Sequence, residues 1–415
     1  MSQARKAGRV PAALAAVVLA LLPLLVGTPA AAAGGCPAAQ VPPPPPAVEE
    51  TARGAATPPP LPWPVPPVGG AALGGCGDVL AAGAPPVPPE VTAAGFVVAD
   101  LDTGAVLAAR APHARQRPAS TLKVLTALVA IDRLDPAATV AGEPEDLAID
   151  GSRAGIGPGG TYTVRQLLAG LLLNSGNDTA QALARALGGD AATTVAMTEK
   201  ARQLGALDTR PATPSGLDGP GMATSAYDLA VLFRDALRQP LFAETIALRN
   251  IAFPGYGDRP GFVLSNVNPL MFHYPGTLGS KTGFTDAARH TIVGAAQRDG
   301  RRLVVAVVRA ENTPVVNWRQ AAELLDYGFA LAAGTAPVGT LVDAAPPAAT
   351  GSAGTPGPSG TITAPVTTGP RWSLVAAAGA AVVAVGGGLL VLARSRRRSG
   401  LSGGGHRRRA GRAGR

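Results

Sequence analysis

Pro118-Ala119-Ser120-Thr121-Leu122-Lys123-Val124-Leu125-Thr126-Ala127-Leu128-Val129 opens a helix whose apolar residues Leu122, Leu125, Leu128 and Val129 recur at helical spacing. Ser120 and Lys123 stand three residues apart, so they share a face and can touch. Ser120 falls in the first turn, where backbone N–H groups are unpaired and the helix dipole favours developing negative charge. An attacking alkoxide with a nearby oxyanion would use both. A capping serine followed by a surface lysine fits the same letters. The rest of the chain has to decide.

On the N-terminal side, Gly95–Asp100 and 105–108 read as strands joined by Leu101-Asp102-Thr103-Gly104, a hairpin signal. Helical patterns follow at 120–134, 163–173, 177–187, 193–204 and 225–237, with a last one at 317–331. Before that last helix, Thr291–Ala295 and Leu303–Val308 flank Arg298-Asp299-Gly300-Arg301, a second hairpin. Strands first, helices between and strands last predict a mixed α/β (α+β) fold. Its antiparallel sheet joins the two ends of the block and is flanked by helices, with an inserted all-helical lobe.

Two further motifs lie in this block. Asn174-Ser175-Gly176-Asn177-Asp178 sits between two helices, where Ser175 and Asn177 can offer a hydroxyl and an amide to one cavity. Read alone it is an ordinary helix–helix turn. Gly279-Ser280-Lys281-Thr282-Gly283-Phe284 precedes the Thr291 strand. Lys281 supplies a cation and Thr282 a hydroxyl for a carboxylate, while Gly283 permits close backbone approach. Composition sharpens the reading, because only four of the 36 basic residues are lysine: Lys6, Lys123, Lys200 and Lys281. Arginine keeps its proton, whereas a desolvated lysine beside another cation can become a neutral base.

Taken in order, Ser-x-x-Lys, Ser-x-Asn and Lys-Thr-Gly resemble the signature of the penicillin-recognising serine acyl-enzymes. Leu172–Asp178, Lys281-Thr282-Gly283-Phe284-Thr285-Asp286, and Ser215-Gly216-Leu217-Asp218 followed by Thr224–Ala230 narrow the likeness. They resemble the D-alanyl-D-alanine carboxypeptidases, the low-molecular-mass penicillin-binding proteins with the β-lactamase/transpeptidase-like fold. The Ser-Asp-Asn and Glu-x-x-Leu-Asn motifs usual in class A β-lactamases are absent.

The resemblance implies that Ser120 attacks the bond between the two terminal D-alanines of a peptidoglycan stem peptide, forming an acyl-enzyme ester that water hydrolyses. It implies Lys123 as proton acceptor, Ser175 as proton relay to the leaving amine, and Asn177 as holder of Lys123 and the substrate amide. The N–H groups of Ser120 and Phe284 would form the oxyanion hole, and Lys281, Thr282 and Gly283 would receive the terminal carboxylate and strand. β-Lactam antibiotics would bind covalently. Many relatives also carry an arginine after the next strand that assists the carboxylate; Arg289 and Arg309 both remain candidates. A β-lactamase or transpeptidase, and a penicillin-sensing receptor that acylates without turnover, are the competing readings.

No cofactor is implied. The four histidines lack His-x-x-x-His spacing, so a metal hydrolase is disfavoured, and Gly-x-Ser-x-Gly is absent from residues 93–333. The net charge of +9 belongs to the chain ends. Three cations lie in residues 1–9 and nine in 394–415 without an acid, leaving 24 cations against 27 anions between. That argues against a nucleic-acid-binding body.

Arg5, Lys6 and Arg9 precede an apolar run over 10–26 and then Ala31-Ala32-Ala33, which predicts a signal peptide over 1–33. Residues 34–92 are proline-rich and predict an extracytoplasmic spacer without a core of its own; residues 334–371 predict a second linker. The enzyme domain is expected over 93–333. Residues 372–393 carry no charge over 22 positions, about 33 Å of helix, and a basic tail follows over 394–415. These features predict a single-pass anchor in the cell membrane with the tail inside. The two cysteines, Cys36 and Cys76, are expected to pair outside the membrane.

Overall fold

A computed structural model describes residues 42–43 and 57–346. The chain divides into units 1–348 and 349–415, and the second lies wholly outside the described residues. So do the expected signal peptide, the 372–393 span and the basic tail. Among the described residues no helix is long and apolar enough to cross a membrane.

The elements, in chain order, are β1 (Asp78–Leu80), β2 (Gly95–Asp100), β3 (Ala105–Arg110), α1 (Lys123–Arg133), β4 (Thr139–Ala141), α2 (Pro144–Ala148), β5 (Thr161–Thr163) and α3 (Val164–Leu173). Then come α4 (Asn177–Ala186), α5 (Asp190–Gln203), α6 (Ala226–Arg238), α7 (Pro240–Ile246), β6 (Asn250–Phe253), β7 (Phe262–Ser265) and α8 (Leu270–His273). The chain closes with β8 (Thr277–Thr285), β9 (Arg289–Arg298), β10 (Arg301–Ala310), α9 (Asn317–Ala330) and β11 (Gly339–Thr340).

The main sheet has seven antiparallel strands in the order β1-β3-β2-β10-β9-β8, with β11 also on β3. β10 pairs with β2, so the first and last hairpins of the block meet as their positions in the sequence require. The alternation within β10 sorts the two cores. Leu303, Val305 and Val307 pack with Leu324 and Leu325 of α9, while Val304, Ala306 and Val308 join the core shared with α1 and α6. β8 ends the strand order, and its free edge faces the inserted lobe.

The lobe is mostly helical rather than all-helical, because β4–β5 and β6–β7 form two small antiparallel pairs within it. Its caps follow local chemistry. Thr163 and Gln166 make a reciprocal capping box on α3, and Ser225 Oγ accepts the Asp228 N–H at the start of α6.

The expected spacer needs correcting. Residues 57–92 have no core of their own, yet they pack on the enzyme body: β1 pairs with β3, and Val68 and Leu73 are buried in the main core. The expected linker begins later than position 334, since β11 shares the β1 edge of β3 and Leu341 is buried. A buried polar latch holds the N-terminal strap. Arg115 donates to the carbonyls of Leu61 and Pro62 at 2.6 and 2.7 Å. His113 lies between Asp208 (Nδ1 to Oδ2, 2.7 Å) and the Val68 carbonyl (Nε2 to O, 3.0 Å), so both ring nitrogens are engaged. Single apolar anchors spaced between prolines leave no periodic signal, which is why composition hid this packing. Cys76 is disulfide-bonded, and Cys36 lies outside the described residues.

Candidate active site

Ser120 sits in a 3-10 turn, Ala119–Leu122, that runs directly into α1. Residues i and i+3 eclipse in such a turn, which aims the Lys123 amine at the Ser120 hydroxyl more directly than an α-turn would. Lys123 Nζ lies 2.8 Å from Ser120 Oγ, 2.6 Å from Asn177 Oδ1 and 2.6 Å from the Ser215 carbonyl. The last contact depends on Gly216, whose φ is +83°; a Cβ there would lie 2.0 Å from the Ala119 carbonyl.

Ser175 and Asn177 come from the α3–α4 junction. Ser175 has a φ of 59°, a left-handed strain that non-glycine residues tolerate mostly at functional sites. Ala119, beside the nucleophile candidate, is left-handed as well at 47°. Asn177 Nδ2 donates to the Asp150 carbonyl at 2.6 Å, which fixes its Oδ1 on Lys123. Buried Asp178 accepts the N–H groups of Ala154, Gly155 and Ile156 at 2.7–3.1 Å and so holds the neighbouring wall.

β8 brings the third motif alongside. Lys281 Nζ donates to Ser175 Oγ at 3.0 Å and to the Thr282 carbonyl at 2.6 Å. A Cβ on Gly283 would lie 2.7 Å from the Ser120 nitrogen, so the strand passes against the nucleophile's own N–H. Thr291 Oγ1 donates to the Pro118 carbonyl at 2.8 Å, pinning β9 to the turn that carries Ser120. Phe284 is half-exposed at the cleft and packs on His290, ring centroids 4.6 Å apart. Arg289 pairs with Glu311 at 2.8 Å and Arg309 donates to the Ala287 carbonyl at 3.0 Å, so both guanidinia brace the β8–β9 turn.

Lys123 and Lys281 are both fully buried. Burial, reinforced by the nearby Lys281 charge and opposed by Asp178, holds the Lys123 amine well below the ordinary lysine range. Burial alone brings Lys281 down to about 7. The structure therefore gathers Ser120, Lys123, Ser175, Asn177, Lys281, Thr282, Gly283 and Phe284 around one cleft. It also shows residues whose part the motifs did not announce: the Ser215 carbonyl, Asp178, Thr291 and Asn268, which meets Thr282. A lone asparagine in a loop, or a backbone carbonyl, carries no signal in a single sequence.

The D-alanyl-D-alanine carboxypeptidase family matches residues 82–312. The chain belongs to this family. D-alanyl-D-alanine carboxypeptidase DacB2 of Mycobacterium tuberculosis is 49% identical over 259 residues, 61% of this chain and 88% of that protein. DacF of Bacillus subtilis is 31% identical over 239 residues, and the match spans 61% of that carboxypeptidase. Among solved structures, a D-alanyl-D-alanine carboxypeptidase from Mycobacterium tuberculosis shares 47% identity, with a TM-score of 0.61 over 63% of this chain and all of that one. The Streptomyces K15 DD-transpeptidase shares 27% identity, with a TM-score of 0.56 over 60% of this chain and 99% of that one. The carboxypeptidase match begins at residue 82, so most of the strap lies upstream of it.

Proposed function

We propose that the chain is a serine D-Ala-D-Ala carboxypeptidase that removes the terminal D-alanine from peptidoglycan stem peptides and is acylated covalently by β-lactams. The observation that carries this reading is the hydrogen-bond set of Lys123. A neutral amine has two hydrogens and one lone pair. Its three partners include two pure acceptors, Asn177 Oδ1 and the Ser215 carbonyl, which take the two hydrogens. The third, Ser120, is the one that has a proton to give, so the lone pair faces its hydroxyl.

In the reaction, Lys123 Nζ takes the Ser120 proton as Oγ bonds to the carbonyl carbon. The resulting oxyanion receives the N–H groups of Ser120 and Phe284, an arrangement worth several kcal/mol in related chemistry. Collapse breaks the C–N bond, and the departing amine takes a proton from Ser175 Oγ–H, which draws its replacement from the Lys123 ammonium and so leaves that amine neutral again. Ser175 can give that proton because its oxygen already accepts from Lys281. Water then cleaves the ester: Lys123 takes a water proton as the oxygen bonds to the carbonyl carbon and returns it to Ser120 Oγ as the C–Oγ bond breaks. Lys281 and Thr282 hold the terminal carboxylate, and Asn177 holds the substrate amide.

The cationic N-terminus with its apolar run, the uncharged 372–393 segment and the basic tail support a place in the cell membrane. In that arrangement a single span anchors the chain, with the enzyme domain outside and the C-terminus in the cytoplasm. Protease protection of a C-terminal epitope in intact spheroplasts tests the orientation. Release of free D-alanine from diacetyl-L-Lys-D-Ala-D-Ala tests the activity; acylation by penicillin without such release would favour the sensing receptor instead.

A further inference from the structure

We infer that Asn268 is a positioning residue that sets the Thr282 hydroxyl for the substrate's carboxylate and closes the open edge of β8 at that point. The inference rests on the carboxypeptidase reading above.

Asn268 lies in the loop before α8 and is almost wholly buried, at 1% exposure. Its Oδ1 accepts both the backbone N–H and the side-chain hydroxyl of Thr282, each at 3.2 Å. Its Nδ2 donates to the Leu172 carbonyl at 3.2 Å and to Asn266 Oδ1 at 2.7 Å. Asn266 Oδ1 also accepts the Asn268 N–H at 2.9 Å, and Asn266 Nδ2 donates to the Leu248 carbonyl at 2.9 Å. The Asn268 amide thus uses both donors and its acceptor oxygen, and a flipped amide would set donors against Thr282 N–H. Leu172 lies in the last turn of α3, three residues before Ser175. One side chain therefore ties the Ser-x-Asn junction to the Lys-Thr-Gly strand.

The backbone of β8 explains the second role. N–H and C=O of a given residue point to the same side of an antiparallel strand, and every second residue faces the same edge. Thr282 turns both groups away from β9. Its N–H is taken by Asn268 and its carbonyl by Lys281 Nζ. Phe284, two residues on, faces the same edge with the N–H assigned to the oxyanion hole. An extended peptide laid along β8 can therefore pair at Phe284 and must end at Thr282, which suits a single terminal residue with its carboxylate. When that carboxylate arrives, the Thr282 hydroxyl turns its hydrogen from Asn268 to the ligand while Asn268 keeps the backbone N–H. The oxygen itself does not move.

The test uses the full chain in detergent, with kcat and KM for diacetyl-L-Lys-D-Ala-D-Ala normalised to the fraction of molecules labelled by saturating fluorescent penicillin. Asn268→Asp keeps the acceptor for Thr282, adds a negative charge beside the carboxylate site and exchanges the donors to Leu172 and Asn266 for an oxygen that regains a hydrogen only when protonated. At pH 8 its KM, taken relative to wild type at the same pH, is expected to rise at least tenfold with kcat within threefold, and that ratio should return toward one as acid protonates the new carboxyl. Asn268→Ala is expected to raise KM without that pH recovery. An Asn268→Asp enzyme with wild-type KM at pH 8, or one losing kcat alone, overturns the inference. Amide hydrogen exchange of the unaltered chain gives a reading that needs no variant: Thr282 N–H should exchange slowly despite its edge position, and fast exchange overturns the capping. A wild-type chain that releases no D-alanine overturns the proposed function instead, while Thr282 protection still tests the contact itself.

Discussion

Gly283→Ala is the substitution whose cost the structure specifies most sharply. The added methyl would lie 2.5 Å from Thr291 Oγ1, 2.7 Å from the Ser120 nitrogen and 3.0 Å from Ala119 Cβ. Ordinary contact needs about 3.4 Å or more, so β8 and the Ser120 turn must separate by roughly 0.7 Å. The Thr291 hydroxyl cannot retreat freely, because it holds the Pro118 carbonyl at 2.8 Å. Overpacking of this kind costs about 1–3 kcal/mol. For a domain of this size that lowers Tm by roughly 2–12 °C. The catalytic cost should be larger, because the separation moves the Ser120 and Phe284 N–H groups apart, and losing one oxyanion donor costs about 10²–10³ in rate. Stopped-flow acylation by fluorescent penicillin, with calorimetry alongside, reads both effects. A variant that acylates within threefold of wild type would refute the placement of Gly283 against Ser120.

Other outcomes follow from the same geometry. Lys123→Arg keeps the charge but cannot act as a neutral base, so D-alanine release should fall by at least 10³-fold; substantial turnover would remove Lys123 from the proton path. Acylation should fall on the acid side as Lys123 gains its proton and on the alkaline side as free Lys281 loses its own near 7, and a profile with one limb contradicts the paired roles. Lys281 has a folded value below its unfolded one, so the unfolded chain binds more protons between pH 7 and 10 and wild-type stability should rise across that window. The drop from 10.5 to about 7 corresponds to at most about 5 kcal/mol, and urea titrations of Lys281→Met should show a smaller rise, since buried Lys123 still contributes its own, while KM climbs. A chain beginning at residue 93 instead of 57 loses buried Val68 and Leu73. It should be less stable by about 3–6 kcal/mol in urea titrations; equal midpoints would show that the strap adds nothing.

Most of the sheet and lobe was legible because their side chains are periodic. β2, β3, β9 and β10 alternate or run apolar, and α1, α3, α4 and α6 carry apolar stripes, so strands and helices fall within a few residues of expectation. α7 begins at Pro240 directly after α6, where a proline reads as an end and not a new start. β1 and β11 are two or three residues long and owe their form to β3, so nothing local marks them. The site divides in the same way. Motif residues were readable because their chemistry is unusual for this arginine-rich composition, with Lys123 and Lys281 the clearest signs. Asn268 and the Ser215 carbonyl were not, because their roles arise when loops distant in sequence meet.

Intact and peptide mass spectrometry after exposure to benzylpenicillin tests the central assignment most directly. One penicilloyl group should appear per chain, on the peptide containing Ser120, and Ser120→Ala should carry none. An adduct of equal yield on the Ser120→Ala chain would contradict it.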